Sequence, residues 1–398
     1  MKQLFFYLTL LFFSLPAVAQ PDLSGNLQGM GTWIKPGKTI FNSKSDPVGL
    51  NQAMGYLNAG YYFTENFKIQ SELRARFTHG NSNPLASQIS DGSANSADQF
   101  RLDKTHRFND QNSADFRVNR FYVDYSAGQV QLTAGRQRIN WGMAMIWNPI
   151  DIFNTRNAVT FGEDLPSSDA ARMQFYFSET GSAELVVKGS ERRNQRAWAI
   201  RVKGNIRETD WQIFGGQRND IPVAGFGWSG EFLKGGFRGE VLGQFKTYKN
   251  AIYIELAPPI TSNLVKTKET EPNIQAVISY DYTFENSLYL LTECLWNPSG
   301  TEKDVLSGIL NSTDNQWLSP GVLNLAHQVS FDLTPLVRIG GICLWNPDDQ
   351  SWTAGPNVNW NLSDNIDLNG MFLFSDGNET SEYAGLGTVG FVRVKWSF

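Results

Sequence analysis

Arg136 and Arg138 stand on either side of Gln137, directly after Gly135, where the strand-like alternation of Val130, Leu132 and Ala134 would run on into the arginines themselves. Carried on unbroken, it puts both guanidinium groups on the apolar face, at about 2–4 kcal/mol each if that face met the middle of a bilayer. A bulge at Gly135 would change the phase and turn both to the polar face. The next segment, 140–170, is long and holds Asp151 and Arg156 together with Trp141, Trp147 and Phe153. Three large rings give it apolar anchors against an inner wall. Folded inward, Arg136, Arg138, Asp151 and Arg156 would set the electric field at a constriction. The arginines could equally pair with Asp or Glu and simply pin the segment. A second charged run, Glu72, Arg74 and Arg76, interleaves with Leu73, Ala75 and Phe77. Consecutive charges on one strand face are too costly for a dry core. They can line a wet lumen whose other face meets lipid.

Catalytic chemistry has little to work with. The three histidines are His79, His106 and His327, and His327 and Ser330, three apart on a strand, fall on opposite faces. No Cys/His spacing suits zinc. Asp98, Asp103, Asp110 and Asp115 lack the glycine and closing glutamate of a calcium loop and read as a solvated stretch. We expect no enzyme, no metal and no cofactor. With 34 basic against 39 acidic residues, a net charge of −5, nucleic acid is not an expected partner.

The elements that must position these residues follow from alternation in segments of about ten residues. Trp198, Ile200 and Val202 alternate with Arg201 and Lys203, and Ile274, Ala276, Ile278, Tyr280 and Tyr282 with Gln275, Ser279 and Asp281. Tight turns near 65–66, 127–128, 179–181, 207–208, 285–286, 334–335 and 363–364 alternate with long polar stretches at 80–115, 140–170, 246–272 and 297–321. That asymmetry predicts an all-β fold, a single transmembrane antiparallel β-barrel of about 18 strands, with 16 as the alternative. Inward charges of both signs, among them Glu184, Arg201, Glu240, Asp281 and Glu293, leave ion preference open.

Residues 1–19 read as a signal peptide: Lys2, an apolar run from Leu4 to Leu15, Pro16, then Ala17-Val18-Ala19 before a cleavage site. Residues 20–398 form the barrel. No later stretch reaches the ~20 apolar residues of a membrane helix. Trp147, Trp296 and Trp345 each begin Trp-Asn-Pro, which suits a headgroup-level ring followed by a strand stop, and Trp396 and Phe398 alternate outward at the end. Cys294 and Cys343 lie on strands separated by one other, too far apart to bridge.

The ending at Phe398 resembles the terminal strand of bacterial outer-membrane proteins, which implies recognition by the barrel-insertion machinery. The run Gly135-Arg136-Gln137, Asn140-Trp141-Gly142 and Asn148-Pro149-Ile150-Asp151 resembles a broad porin-like outer-membrane family with a Gly-Arg-Gln, Asn-Trp-Gly and Asn-Pro-x-Asp motif. The resemblance implies a barrel and a pore, without a substrate. The expected protein is a Gram-negative outer-membrane channel for passive diffusion of small hydrophilic solutes or ions. The alternative is a non-conducting barrel for surface binding or envelope assembly. Outer-membrane lipid and lipopolysaccharide, whose phosphates the arginines could face, are the other expected partners.

Overall fold

The computed structural model describes residues 21–37, 46–80, 99–154, 167–191, 195–245, 247–249, 268–270, 272–302 and 318–398. The leader 1–19 and Arg156 lie outside the described residues. In chain order the strands are β1 (Pro21–Lys35), β2 (Val48–Thr64), β3 (Phe67–Gly80), β4 (Asp103–Arg107), β5 (Asn112–Ala127), β6 (Val130–Gln137) and β7 (Ser168–Tyr176). There follow β8 (Ser182–Lys188), β9 (Ala197–Ile206), β10 (Thr209–Arg218), β11 (Ile221–Phe232), β12 (Gly235–Gln244), β13 (Thr247–Lys249) and β14 (Lys268–Thr270). The last are β15 (Asn273–Thr283), β16 (Tyr289–Trp296), β17 (Leu323–Thr334), β18 (Val337–Asn346), β19 (Ser351–Ser363), β20 (Ile366–Asp376) and β21 (Thr388–Ser397).

Among the described residues, β1 pairs with both β2 and β21, and every pairing in the ring is antiparallel, so eighteen strands close into a barrel without an edge. Three strands stand outside the ring: β4, which pairs only with β5, and the separate β13–β14 ribbon. At the closing seam Gly25 N–H donates to Phe398 O and Phe398 N–H to Gly25 O, both at 2.9 Å. A Cβ on Gly25 would lie 2.8 Å from the Phe398 ring and nearer still to the Tyr56 carbonyl, so glycine is what lets the ring cross the seam.

One end of the barrel carries the tight turns and the other the long connections, with three departures. At the long-loop end 347–350 join β18 to β19 in four residues. Asn219 and Asp220 join β10 to β11 in two residues at the long-loop end. The 80–115 stretch, expected as one loop, contains β4 and the start of β5.

The expected bulge at Gly135 is absent. β6 runs past β5 and β7 with no shift of register, although Gly135 itself sits at φ +121°. The shift lies instead in β5, where Asn119 is the extra residue between the pairs Leu73–Val118 and Glu72–Arg120.

Candidate functional site

The wall strands β6, β7 and β8 are short, at 8, 9 and 7 residues, because the chain leaves the wall after Gln137 and turns into the barrel. Residues 139–154 then lie against its inner face. Ile139, Trp141, Ile150, Ile152 and Phe153 pack with Val186, Ala199, Phe214, Val223 and Leu242, inward side chains of β8 to β12. Each large side chain buried this way contributes about 1.5–3 kcal/mol. Trp141 meets the rings of Phe153 at 4.8 Å and Phe214 at 5.3 Å, and the Arg201 guanidinium lies 4.7 Å over its own ring.

Polar contacts fix the height of the segment. Met143 and Ala144 N–H both donate to Glu240 Oε1, the latter at 2.7 Å, and Ile150 N–H donates to Glu240 Oε2 at 3.2 Å. Glu293 accepts from Met145 at 2.9 Å, Ile146 at 3.1 Å and Trp147 at 2.6 Å. Two fully buried wall carboxylates thus serve six amides of a non-helical segment that has no ladder of its own. Lys188 Nζ and Ser168 Oγ hold the far end, donating to Phe153 O at 2.7 and 2.9 Å.

A second inward segment, 377–387, meets the first. Trp147, Val277, Leu295, Ala326, Leu344 and Tyr383 form one buried cluster. Tyr383 Oη donates to Asn324 at 3.0 Å, and Glu382 accepts from Ser319 Oγ at 2.7 Å and Asn346 Nδ2 at 2.9 Å. Burial raises the Glu382 carboxyl to about 7, the Ser319 and Asn346 donors offsetting part of that and Asp349 adding to it. Burial also lifts the Tyr383 phenol well above its ordinary value.

The wall on the other side stays charged. Arg74 and Arg76 on β3 hold Asp115 of β5 at 2.8 and 2.5 Å. The bulge at Asn119 turns Asn119 Nδ2 to Glu72 at 3.0 Å and Arg120 to the same carboxylate at 3.5 Å. Arg117 lies directly across from Arg74. Asp103 of β4 lies across from Arg117 on its other side, so around this point four guanidinium groups face three carboxylates. Farther round, Arg172 and Arg201 share Glu184.

The structure distributes the expected site residues unevenly. Glu72, Arg74 and Arg76 come together, but Arg136 joins neither group. It pairs with Asp169 at 2.8 Å, donates to the carbonyls of Phe100 and Val118, and is 4 % exposed, like its partner. Arg138 is half-buried, and Asp151 is buried within the segment, accepting from Asn154 at 2.9 Å. Trp147 corrects an expectation: it is 1 % exposed inside the barrel, not in the girdle, because its Trp-Asn-Pro belongs to the inward segment rather than to a strand end. Trp296, Trp345, Trp396 and Phe398 are exposed on the wall, and β16 and β18 stop at their Trp-Asn-Pro copies. Both cysteines are free.

Glu240 and Glu293 were legible as inward charges but not as amide acceptors. Their signal is that they sit among apolar residues of the same inward parity, Leu242 beside one and Leu291 and Leu295 beside the other. Glu382 and Asp169 gave no signal, since the first lies in a connection and the second takes its role from register.

Neither protein-family models nor curated proteins match the sequence. Solved structures do resemble the fold. Over 95 % of this chain, Acinetobacter baumannii OccAB2 superposes with a TM-score of 0.57 at 9 % identity, covering 98 % of its own chain. Pseudomonas aeruginosa OccK8 (OprE) gives 0.57 at 8 % identity and 98 % of its chain, and P. aeruginosa OccD3 (OpdP) 0.55 at 8 % and 91 %. The shared feature is the barrel fold of outer-membrane porins and channels.

Proposed function

We propose that this barrel is an outer-membrane channel for passive diffusion of small hydrophilic solutes or ions, and not an enzyme. The observation that carries the reading is the asymmetry of the lumen. One inner wall is apolar and sheathed by residues 139–154, while the charged wall of β3 and β5 keeps Arg74, Arg76, Arg117 and Arg120 against Glu72, Asp115 and, on the flanking β4, Asp103. A wall needs such side chains only where it borders water. The excess of guanidinium groups favours anions over cations there. In this reading Arg136 and Asp151 are structural, and selectivity rests on the β3–β5 wall.

One feature supports the competing reading of a non-conducting barrel: the two inward segments meet at Trp147 and Tyr383. Liposome swelling with small sugars and salts decides between them. Swelling rates above those of protein-free vesicles, falling with solute size, are expected. Vesicles that stay impermeable to every small solute would overturn the channel reading.

A further inference from the structure

On the outside of the wall near the long-loop end, small and large side chains alternate across four adjacent strands. One row reads Ala53, Phe77, Ala114, His106 across β2, β3, β5 and β4, and the next reads Gly55, Ala75, Phe116, Lys104. The small residues leave a hollow of about 470 Å³ between the rings of Phe77 and Phe116. Phe108 lies next to the rim of this hollow, its ring 4.7 Å from that of His106 and 6.4 Å from that of Phe77. His79, hydrogen-bonded to Asn112 at 2.9 Å, begins a polar row just above. The patch therefore lies where apolar wall gives way to headgroups, one or two rows below the end of β3.

Lys104 lines this hollow. It is exposed, and its register sets it beside Phe116 on the lipid side, while the acidic residues of these strands, Asp103 and Asp115, take the opposite parity. An ammonium group at the edge of a lipid-facing aromatic hollow needs an anion or a path to water. A phosphate at headgroup level supplies the first, and the hollow beneath it suits an acyl chain. We propose that this patch binds one phosphorylated acyl glycolipid of the outer leaflet, its phosphate on Lys104 and His106 and an acyl chain in the hollow between Phe77 and Phe116. Charge complementarity selects the partner: a dephosphorylated lipid fills the hollow but leaves the Lys104 ammonium without an anion. The inference rests on outer-membrane location and is independent of conduction.

The test is native mass spectrometry of the full barrel in detergent, titrated with bisphosphorylated lipid A, with its dephosphorylated form and with phosphatidylglycerol. Heat-modifiable migration checks that each variant is folded. Lys104→Ala is expected to weaken lipid A binding about fivefold, the effect of one cation near an anionic surface, and to leave the dephosphorylated form unchanged. Lys104→Arg should restore binding. Ala75→Leu/Ala114→Leu, which fills the hollow and keeps Lys104 and His106, should weaken both lipid A forms. Equal binding of lipid A by Lys104→Ala and the unmodified chain would overturn the site, as would equal affinity for the phosphorylated and dephosphorylated forms. Phosphatidylglycerol matching lipid A would overturn the choice of partner.

Discussion

Arg136 reaches both oxygens of Asp169 and two backbone carbonyls, at 2.6 to 3.2 Å, in a site where each side chain is 4 % exposed. Removing only the arginine leaves the buried Asp169 carboxylate without its countercharge and with the Phe100 amide, at 2.8 Å, as its remaining donor here, a loss of up to about 3–5 kcal/mol. Arg136→Met is therefore expected to lower the urea midpoint of the detergent-folded barrel while the reversal potential in a salt gradient stays put. A shifted reversal potential would return this arginine to the conduction path. Alternation in the sequence marks it as misplaced on an apolar face, the parity it keeps in β6. Its resolution was hidden, because the partner lies 33 residues on and is chosen by the register of β6 with β7. Trp147 misled for a related reason: three identical tripeptides differ only in whether a strand precedes them.

Connections differ from strands in how much of them local sequence reveals. Strand parity was legible wherever lipid and lumen impose opposite demands on alternate residues. The turn at Leu233-Lys234 was not, since neither residue is a turn former, yet both hold positive φ, 50° and 64°. Left-handed backbone costs a non-glycine residue about 1–2 kcal/mol. Leu233→Asn/Lys234→Gly suits the two-residue hairpin and should raise the unfolding temperature measured by heat-modifiable migration. An unchanged temperature would mean the strain is relieved elsewhere. The 377–387 segment makes a pH prediction. Glu382 titrates at about 7 when docked, above its ordinary 4.5, so the docked state favours the protonated carboxyl. That contribution, on the order of 3 kcal/mol, is complete below about pH 4.5 and is lost as pH rises through about 7. A spin label on Asn378→Cys, with Cys294 and Cys343 replaced by Ala, should become more mobile over that range. Glu382→Gln should flatten the response. A label equally mobile at pH 5 and pH 8 in the unmodified segment would show that docking is not linked to this carboxyl.

Across the whole molecule, the eighteen-strand wall needs nothing from its inward segments to close, since each strand is paired by neighbours in the ring. The inward segments need the wall. From β8 to β18 the inner face carries Val186, Phe214, Val223, Leu242, Val277, Leu295 and Leu344, which water alone would leave poorly satisfied. These residues interrupt the polar inward parity that the sequence displays elsewhere, and the interruption is the trace of a segment packed against them. It was readable in principle and obscured in practice, because a strand apolar on both faces looks like any buried strand. Glu240 and Glu293 sit within this band and turn adhesion into position, each accepting three amides. Glu240→Gln/Glu293→Gln keeps volume but removes both charges and presents amide donors to donors. Charge-assisted hydrogen bonds contribute about 1.5–3 kcal/mol each, so losing even two should detach residues 143–150 while the barrel stays folded. In planar bilayers the variant is expected to show larger and noisier single-channel conductance, with heat-modifiable migration retained. A channel whose conductance and noise match the unmodified protein would mean that apolar packing alone holds the segment, and that the two carboxylates do not set the size of the opening.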